Sequence, residues 1–213
     1  SARGQQHEAE YLAFLKSDGR RVKEFDEQQA TLAQTHAAML QAFDVIFQGR
    51  LEHERLAGYT DFLVRCDGPS DLGDHHYEVW DTKLSRTAKP TYVIQLCAYS
   101  ELLERLQARR PDGFAVVLGD RTQLRFPTNR FYYYFQALKR TFLEFHERFD
   151  PQEMPHPGQS RSFGRWSGFA TDYLLNSDYL SSVANISRVQ IRKLEGAGST
   201  TMTAWALSKR KAV

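Results

Sequence analysis

The sequence has few cysteines and no long apolar run. Only two of the 213 residues are cysteine, Cys66 and Cys97, and both stand among apolar neighbours. This favours buried free thiols in a reducing compartment over a disulfide framework. No apolar run approaches the length of a membrane-spanning helix, and no signal peptide is visible, so we expect a cytoplasmic protein without a membrane partner.

A strong charge of either sign is also missing. The chain has 28 basic and 26 acidic residues, which gives a formal net charge of +2. An overall signature of nucleic-acid binding is therefore absent, and any such contact has to come from local basic stretches. Most basic runs are solvated faces. The candidate stretches are 20–23, 109–110, 161–165, 188–193 and 209–211.

What remains is the composition of a folded protein. Hydrophobic residues make up 41% of the chain and charged residues 25%, which is enough for a substantial core. Strands and helices alternate over residues 1–150 and predict an α/β domain with a mixed central sheet flanked by helices. Three prolines within 151–157 mark a break. Beyond it we predict a linker and a small all-helical unit, together spanning 151–213, with the short helices over 178–207.

Two segments of the first domain, 58–64 and 77–83, alternate apolar and polar side chains like half-buried strands. Turn-forming residues over 67–74 predict a hairpin between them. On the second strand Asp81 and Lys83 share one face, and we place Asp61 on the partner strand within reach of both. Further strands are predicted at 21–25, 44–51, 113–119 and 123–126, and helices at 7–17, 28–43, 92–107 and 131–149.

These residue types predict hydrolytic chemistry on a phosphodiester. The carboxylates of Asp61 and Asp81 suit a hard divalent cation such as Mg²⁺, which prefers oxygen ligands. A lysine beside such an ion, here Lys83, can hold a scissile phosphate and orient or deprotonate the attacking water. Gln95 and Tyr99 stand four residues apart on a predicted helix, so both project from one side of it.

Three other groups of polar residues are weaker candidates. His75 and His76 are adjacent on a predicted strand and face opposite ways, which argues against one shared ion. The acidic and histidine cluster at 52–55 is better explained as a solvated turn. Asp67, Asp71 and Asp74 lack the close spacing of a calcium loop.

Four elements in this order resemble the RecB-like branch of the PD-(D/E)XK nuclease superfamily. They are His7-Glu8, Gly58-x-x-Asp61, Asp81-x-Lys83 and Gln95-x-x-x-Tyr99. The resemblance implies a restriction-endonuclease-like fold and a Mg²⁺- or Mn²⁺-dependent deoxyribonuclease of DNA repair or recombination. It implies that the metal is held by His7, Asp61, Asp81 and the carbonyl of Thr82, that Lys83 is the catalytic lysine, and that Gln95 and Tyr99 contact DNA.

The resemblance also implies further domains, such as a helicase, and the start at Ser1 leads us to expect a piece of a longer polypeptide. Some similar proteins carry an iron–sulfur cluster bound by late cysteines. No cysteine follows Cys97, so no such cluster is expected. The pattern Leu-x-Gly-x-Gly-Ser-Thr at 194–200 is similar to a helix-hairpin-helix motif, which binds phosphate through backbone N–H groups. A plain helical connector is an equal alternative.

Two rival functions remain open. One is a catalytically weak or inactive nucleic-acid-binding or assembly domain of a larger helicase-nuclease, and the other is a site-specific restriction or repair endonuclease. An inactive domain would tolerate the loss of Asp81 or Lys83, and no obvious base-reading element is present. Because an isolated Asp-x-Lys is usually a solvated pair, the nuclease interpretation depends on the joint occurrence of all four elements.

Overall fold

The fold is taken from a computed structural model, which describes residues 2–160 and 162–210. The chain forms two compact units, the first ending at Glu147 and the second beginning at Arg148. The predicted basic stretches 161–165 and 209–211 fall partly outside the described residues. No helix in the described part of the chain has both the length and the apolar character needed to cross a membrane.

A six-stranded mixed sheet forms the centre of the first unit. The strands of this unit, including two outside the central sheet, are β1 (Val22–Glu24), β2 (Val45–Phe47), β3 (Arg50–His53), β4 (Leu56–Tyr59), β5 (Phe62–Ser70), β6 (Gly73–Lys83), β7 (Gly113–Leu118) and β8 (Gln123–Pro127). Six of them lie in the order β1-β2-β5-β6-β7-β8, and β3 pairs with β4 in a separate hairpin. The pairs β1–β2 and β6–β7 are parallel, and the other neighbours in the sheet are antiparallel.

Helices cover both faces of this sheet. They are α1 (Ala2–Ser17), α2 (Leu32–Leu40), α3 (Pro90–Gln107) and α4 (Thr128–Glu147). On one face, Tyr11 of α1 packs with Phe62 and Trp80 in a buried core. On the opposite face, Val79 packs with α2, α3 and Phe135 of α4. The predicted α/β class, with a mixed central sheet flanked by helices, is confirmed.

Helix α2 is shorter than the predicted helix 28–43. It begins after Thr31, whose side chain accepts from the Gln34 N–H while the Gln34 side chain reaches back to the Thr31 N–H. This capping box satisfies two N–H groups that have no partner within the helix. Gln28 and Ala42 have positive φ values of 57° and 52°. The backbone is therefore left-handed on both flanks, which excludes a longer α-helix.

Two predicted strands are each broken into two. The predicted strand 44–51 divides at Gln48, whose φ of 58° ends β2 before β3 begins. The predicted strand 58–64 divides at Thr60, which is fully buried and whose N–H donates to the Gly49 carbonyl over 2.9 Å. The hairpin β3–β4 thereby leaves the central sheet. Asp61 immediately precedes β5. The prediction that it lies within this strand is therefore wrong.

The hairpin β5–β6 is longer than predicted. Asp67 pairs with His75, and Ser70 pairs with Gly73. The predicted turn 67–74 is therefore wrong in extent, because only Asp71 and Leu72 remain between the strands. Gly73 has a φ of 117°, a conformation open to glycine and strained for other residues.

The second unit is helical, apart from a single bridge between Tyr179 and Thr201 among the residues described. It contains α5 (Ser167–Asn176), α6 (Arg188–Gly196) and α7 (Met202–Arg210), with three short 3₁₀ turns. The sequence pattern predicted helices only from 178 onward and missed α5. Ser187 and Gln190 form a capping box at the start of α6, as Thr31 and Gln34 do in α2.

Backbone N–H groups at the turn between α6 and α7 already have partners. Those of Ala197, Gly198 and Ser199 donate to carbonyls of α6. The N–H of Thr203 donates to Asp178 Oδ2 over 2.9 Å. A phosphate bound by these groups would have to displace those acceptors. The helix-hairpin-helix-like tail stays a prediction, and the proposed function below does not depend on it.

A buried glutamine side chain holds the middle of β6 in place. Gln107, at the end of α3, accepts from the Tyr77 N–H over 2.8 Å and donates to the Tyr77 carbonyl over 3.1 Å. We expect Gln107→Met to lower the free energy of unfolding by about 2 to 4 kcal/mol, since it leaves buried backbone groups unpaired. Urea titration measures this loss. Gln152→Met, at an exposed position, is the control and should change stability little; an equal loss in both variants would contradict the argument.

Candidate active site

Asp81 and Lys83 form an ion pair at the end of β6. Strand alternation places both on the face that carries Val79, as predicted. Lys83 Nζ lies 2.5 Å from Asp81 Oδ2. Asp81 is only 2% exposed, and the Lys83 side chain is 25% exposed. The aspartate is thus a buried carboxylate and the lysine its partly accessible partner, which differs from a solvated surface pair.

Asp61 is fixed to the same strand by two hydrogen bonds from Thr82. Its Oδ2 accepts from the Thr82 N–H over 2.8 Å and from the Thr82 hydroxyl over 2.9 Å. The N–H and C=O of a residue in an extended strand point to the same side. The Thr82 carbonyl therefore points to the side on which Asp61 lies.

The carboxylate of Glu8 in α1 is close enough to Asp61 and Asp81 to respond to their charges, and we call these three carboxylates the acidic cluster. Glu8 accepts a short hydrogen bond from the side-chain amide of Gln48. Burial, then the negative charge of Asp61 and to a lesser degree that of Asp81, raise the pKa of Glu8 to about 7, although the Gln48 bond opposes the shift. Sequence reasoning named His7 as the ligand in this segment and gave Glu8 no role. The acid directly after the histidine was the signal that could have identified it.

His7 is buried on the same helix, with 6% of its surface exposed. Its Nε2 atom is buried and has no hydrogen-bond partner. An unpaired polar atom inside a protein is costly and marks a position where a further ligand would be stabilising. The sequence prediction of His7 as a metal ligand stays a prediction.

The cluster carries more negative than positive charge. Burial and the charge of Asp61 raise the pKa of Asp81 to about 7, even though Lys83 acts in the opposite direction. Burial disfavours the charge of Lys83, but the carboxylates of Asp81 and Asp61 outweigh it and raise the pKa of Lys83. The carboxylates of Asp81 and Asp61 thus share the one ammonium group of Lys83.

Gln95 and Tyr99 lie on α3, as predicted, but their surroundings differ. Gln95 is exposed. Tyr99 is half-buried, and its hydroxyl donates to the Tyr59 carbonyl over 2.7 Å. A Cβ atom at Gly58 would lie 2.6 Å from this hydroxyl and 2.9 Å from the tyrosine ring. The glycine of the Gly-x-x-Asp element therefore makes room for the side chain of Tyr99.

The weaker candidates lie elsewhere. His75 Nε2 is 2.9 Å from the Met39 carbonyl, on the face covered by α2. His76 faces the other side of the sheet beside Cys66, which confirms that the two histidines face opposite ways. Glu52 and His53 lie in β3, and Glu54 begins the turn to β4. The predicted solvated turn over 52–55 is therefore limited to Glu54 and Arg55.

Comparison with known proteins gives no family. No protein-family model matches the chain, and no curated protein matches it. The chemistry of the acidic cluster is therefore the best indication of what this protein does.

The raised pKa of Asp81 predicts how stability changes with pH in the metal-free protein. The carboxyl binds its proton more tightly when folded than at its ordinary pKa of 3.8. Its contribution to stability is complete below pH 4 and is lost as the pH rises through about 7. With EDTA present, we expect the unaltered protein to lose about 1 kcal/mol or more relative to Asp81→Asn between pH 5.5 and pH 8. A parallel pH dependence of the two proteins would contradict this assignment.

Proposed function

We propose that this chain is a metal-dependent DNA nuclease that hydrolyses phosphodiester bonds by attack of water. The observation that carries the proposal is the ion pair between the buried Asp81 and the partly accessible Lys83, whose Oδ2 and Nζ atoms lie 2.5 Å apart. Asp61 is hydrogen-bonded to the intervening Thr82. Ordinary surface pairs contribute little and are not buried. A buried acidic cluster that holds one accessible ammonium suits a reaction in which a phosphate and a cation must meet.

We further propose that the chain is a RecB-like nuclease of the PD-(D/E)XK superfamily with a restriction-endonuclease-like fold. In support, the four sequence elements lie on elements of one unit: the His7-Glu8 pair on α1, Asp61 before β5, the Asp81-x-Lys83 motif on β6 and Gln95 and Tyr99 on α3. The mixed sheet, in which β6 pairs with β5 on one side and with β7 on the other, is compatible with that fold.

The acidic cluster fits a hard divalent cation, Mg²⁺ or Mn²⁺. Asp61, Asp81 and the Thr82 carbonyl would hold it through oxygen atoms, with Glu8 beside them and His7 as the nitrogen donor that would suit Mn²⁺. Asp61 and Asp81 share one lysine, Glu8 adds a third acidic group that interacts with both, and the buried Nε2 of His7 lacks a partner. Such an ion, when bound, polarises a phosphoryl oxygen and makes water a better nucleophile.

The protein side chains supply positioning and charge. Lys83 is held in one place by Asp81, so its ammonium is available to donate hydrogen bonds to the scissile phosphate and to orient the attacking water. Gln95 is exposed on α3 and its side chain interacts with the hydroxyl of Tyr99, so reaching the DNA backbone would require it to give up that partner. The hydroxyl of Tyr99 already donates to the Tyr59 carbonyl, which favours a role in positioning α3 against β4.

The proposed partner is DNA, and a helicase or another DNA-processing domain is the proposed context. The rival function is a nucleic-acid-binding or assembly domain without useful turnover. The accessible Lys83 next to Asp81 and Asp61 favours the nuclease, because a binding surface gains nothing from buried acids that repel phosphate.

Replacing Lys83 tests the proposed function directly. We expect Lys83→Met to slow metal-dependent cleavage about 100-fold or more, as for loss of a group that acts in the transition state, while DNA binding changes little. End-labelled single- and double-stranded DNA would be digested with Mg²⁺, Mn²⁺ or EDTA. Lys16→Met is the matched control, since Lys16 pairs with Glu24 on the surface of the first unit.

The outcomes separate the hypotheses. Cleavage lost only in Lys83→Met supports the nuclease and its centre. Cleavage by Lys83→Met at the rate of the unaltered protein would show that the role of Lys83 is wrong. DNA binding without any metal-dependent cleavage by the unaltered protein would favour the binding-domain alternative.

Glu8 is tested on its own helix. We expect Glu8→Gln to raise the Mg²⁺ concentration needed for half-maximal cleavage by about 10-fold or more, because the cluster loses one carboxylate near the metal. Glu10→Gln is the control, since Glu10 is exposed and contacts only the side chain of Gln6 among the bonds described. Equal metal dependence in the two variants would remove Glu8 from the site.

A further inference from the structure

A second group of metal-ligating side chains lies on the other face of the β5–β6 hairpin. Cys66 of β5 and His76 of β6 are directly paired across the two strands. Glu78 lies two residues beyond His76 and so on the same face. The sulfur, nitrogen and carboxylate oxygen atoms of the three side chains all lie within 4.8 Å of one another.

The fold alone does not explain why His76 is buried without a hydrogen-bond partner. It is only 2% exposed, and both of its ring nitrogens are buried without a hydrogen-bond partner. The backbone of Gly68 is close, but it makes no well-aligned bond to the ring. A buried imidazole with two unsatisfied nitrogens is costly, and its neighbours in the group are two other good metal ligands.

We propose that Cys66, His76 and Glu78 bind a divalent cation of the zinc class. Thiolate, imidazole and carboxylate are the donors that zinc takes in proteins. Ligand atoms bound at about 2.0 to 2.3 Å around a tetrahedral ion lie roughly 3.3 to 3.8 Å apart. A contraction of about 1 Å by side-chain rotation therefore closes the site around the ion, and the Cys66 proton is released to solvent.

The surroundings of Glu78 match those of a metal-bound carboxylate. One of its oxygens accepts from the Gly113 N–H over 3.1 Å, and the other makes a short contact with the guanidinium of Arg125. Such outer partners orient a ligating carboxylate, and each oxygen has a second lone pair for the ion. Cys66 is half-buried, which leaves an entry path and room for a water as the fourth ligand.

This site differs from the acidic cluster in position and in chemistry. Strand alternation places Glu78 and Asp81 on opposite faces of β6. The acidic cluster is rich in oxygen donors and suits Mg²⁺, whereas sulfur and nitrogen favour zinc. The second site does not depend on the proposed nuclease activity.

Cobalt titration tests the proposal, because Co²⁺ bound to a thiolate gives a charge-transfer band in the near ultraviolet. The purified protein would be titrated with excess Mg²⁺ present to occupy the acidic cluster. We expect one equivalent of Co²⁺ to produce the band, and Zn²⁺ to displace it. Cys66→Ala should abolish the band, and His76→Gln should weaken binding by at least about 100-fold, the upper end of what loss of a supporting partner costs a metal site.

Cys97→Ala is the matched control. Cys97 is buried in α3 on the opposite face, and the variant should keep the band, as should Asp81→Asn. Circular dichroism of each variant checks that it is folded. Thermal unfolding gives a second readout: Zn²⁺ should raise the midpoint of the unaltered protein and of Cys97→Ala, but not of Cys66→Ala. No thiolate band in the unaltered protein, or a band that survives in folded Cys66→Ala, would overturn the proposal.

Discussion

The two hydrogen bonds from Thr82 to Asp61 are the constraint on which the acidic cluster depends. Asp61 lies outside β5, after a break in the chain at Thr60, so strand pairing alone does not fix its carboxylate. The bonds join it to the residue between Asp81 and Lys83. Because those two side chains are on one face of β6, a single contact positions three charged groups relative to one another.

The geometry of this cluster was predictable from the sequence only in part. Strand alternation is a local property, so the shared face of Asp81 and Lys83 could be predicted from a few residues. The breaks at Gln48 and Thr60 could not, because the left-handed φ of Gln48 and the buried bond of Thr60 to Gly49 depend on tertiary packing. The pattern of apolar residues continues through both positions and predicts uninterrupted strands.

Strand register explains why the second metal-ligating group was missed. The prediction that His75 and His76 face opposite ways is correct. Cys66 was predicted to be a buried free thiol, and in the structure it is free and half-buried. Which residue of β6 stands opposite Cys66 is set by the tight turn at Asp71-Leu72 and by the irregularity between Asp67 and Ser70. A shift of one residue would exchange the faces of His76 and Tyr77. Turn residues spread over 67–74 do not specify that register.

The surplus of negative charge links the proposed function of the acidic cluster to its effect on the fold. Glu8 and Asp81 both have their pKa values raised by burial and by Asp61. A side chain selected only for packing at these positions would be apolar, since an uncompensated buried carboxylate destabilises the folded state. Lys83 compensates for only part of this charge. A divalent cation would compensate for the rest and would at the same time attract a phosphodiester, so the feature that weakens the metal-free fold is the one that a nuclease requires.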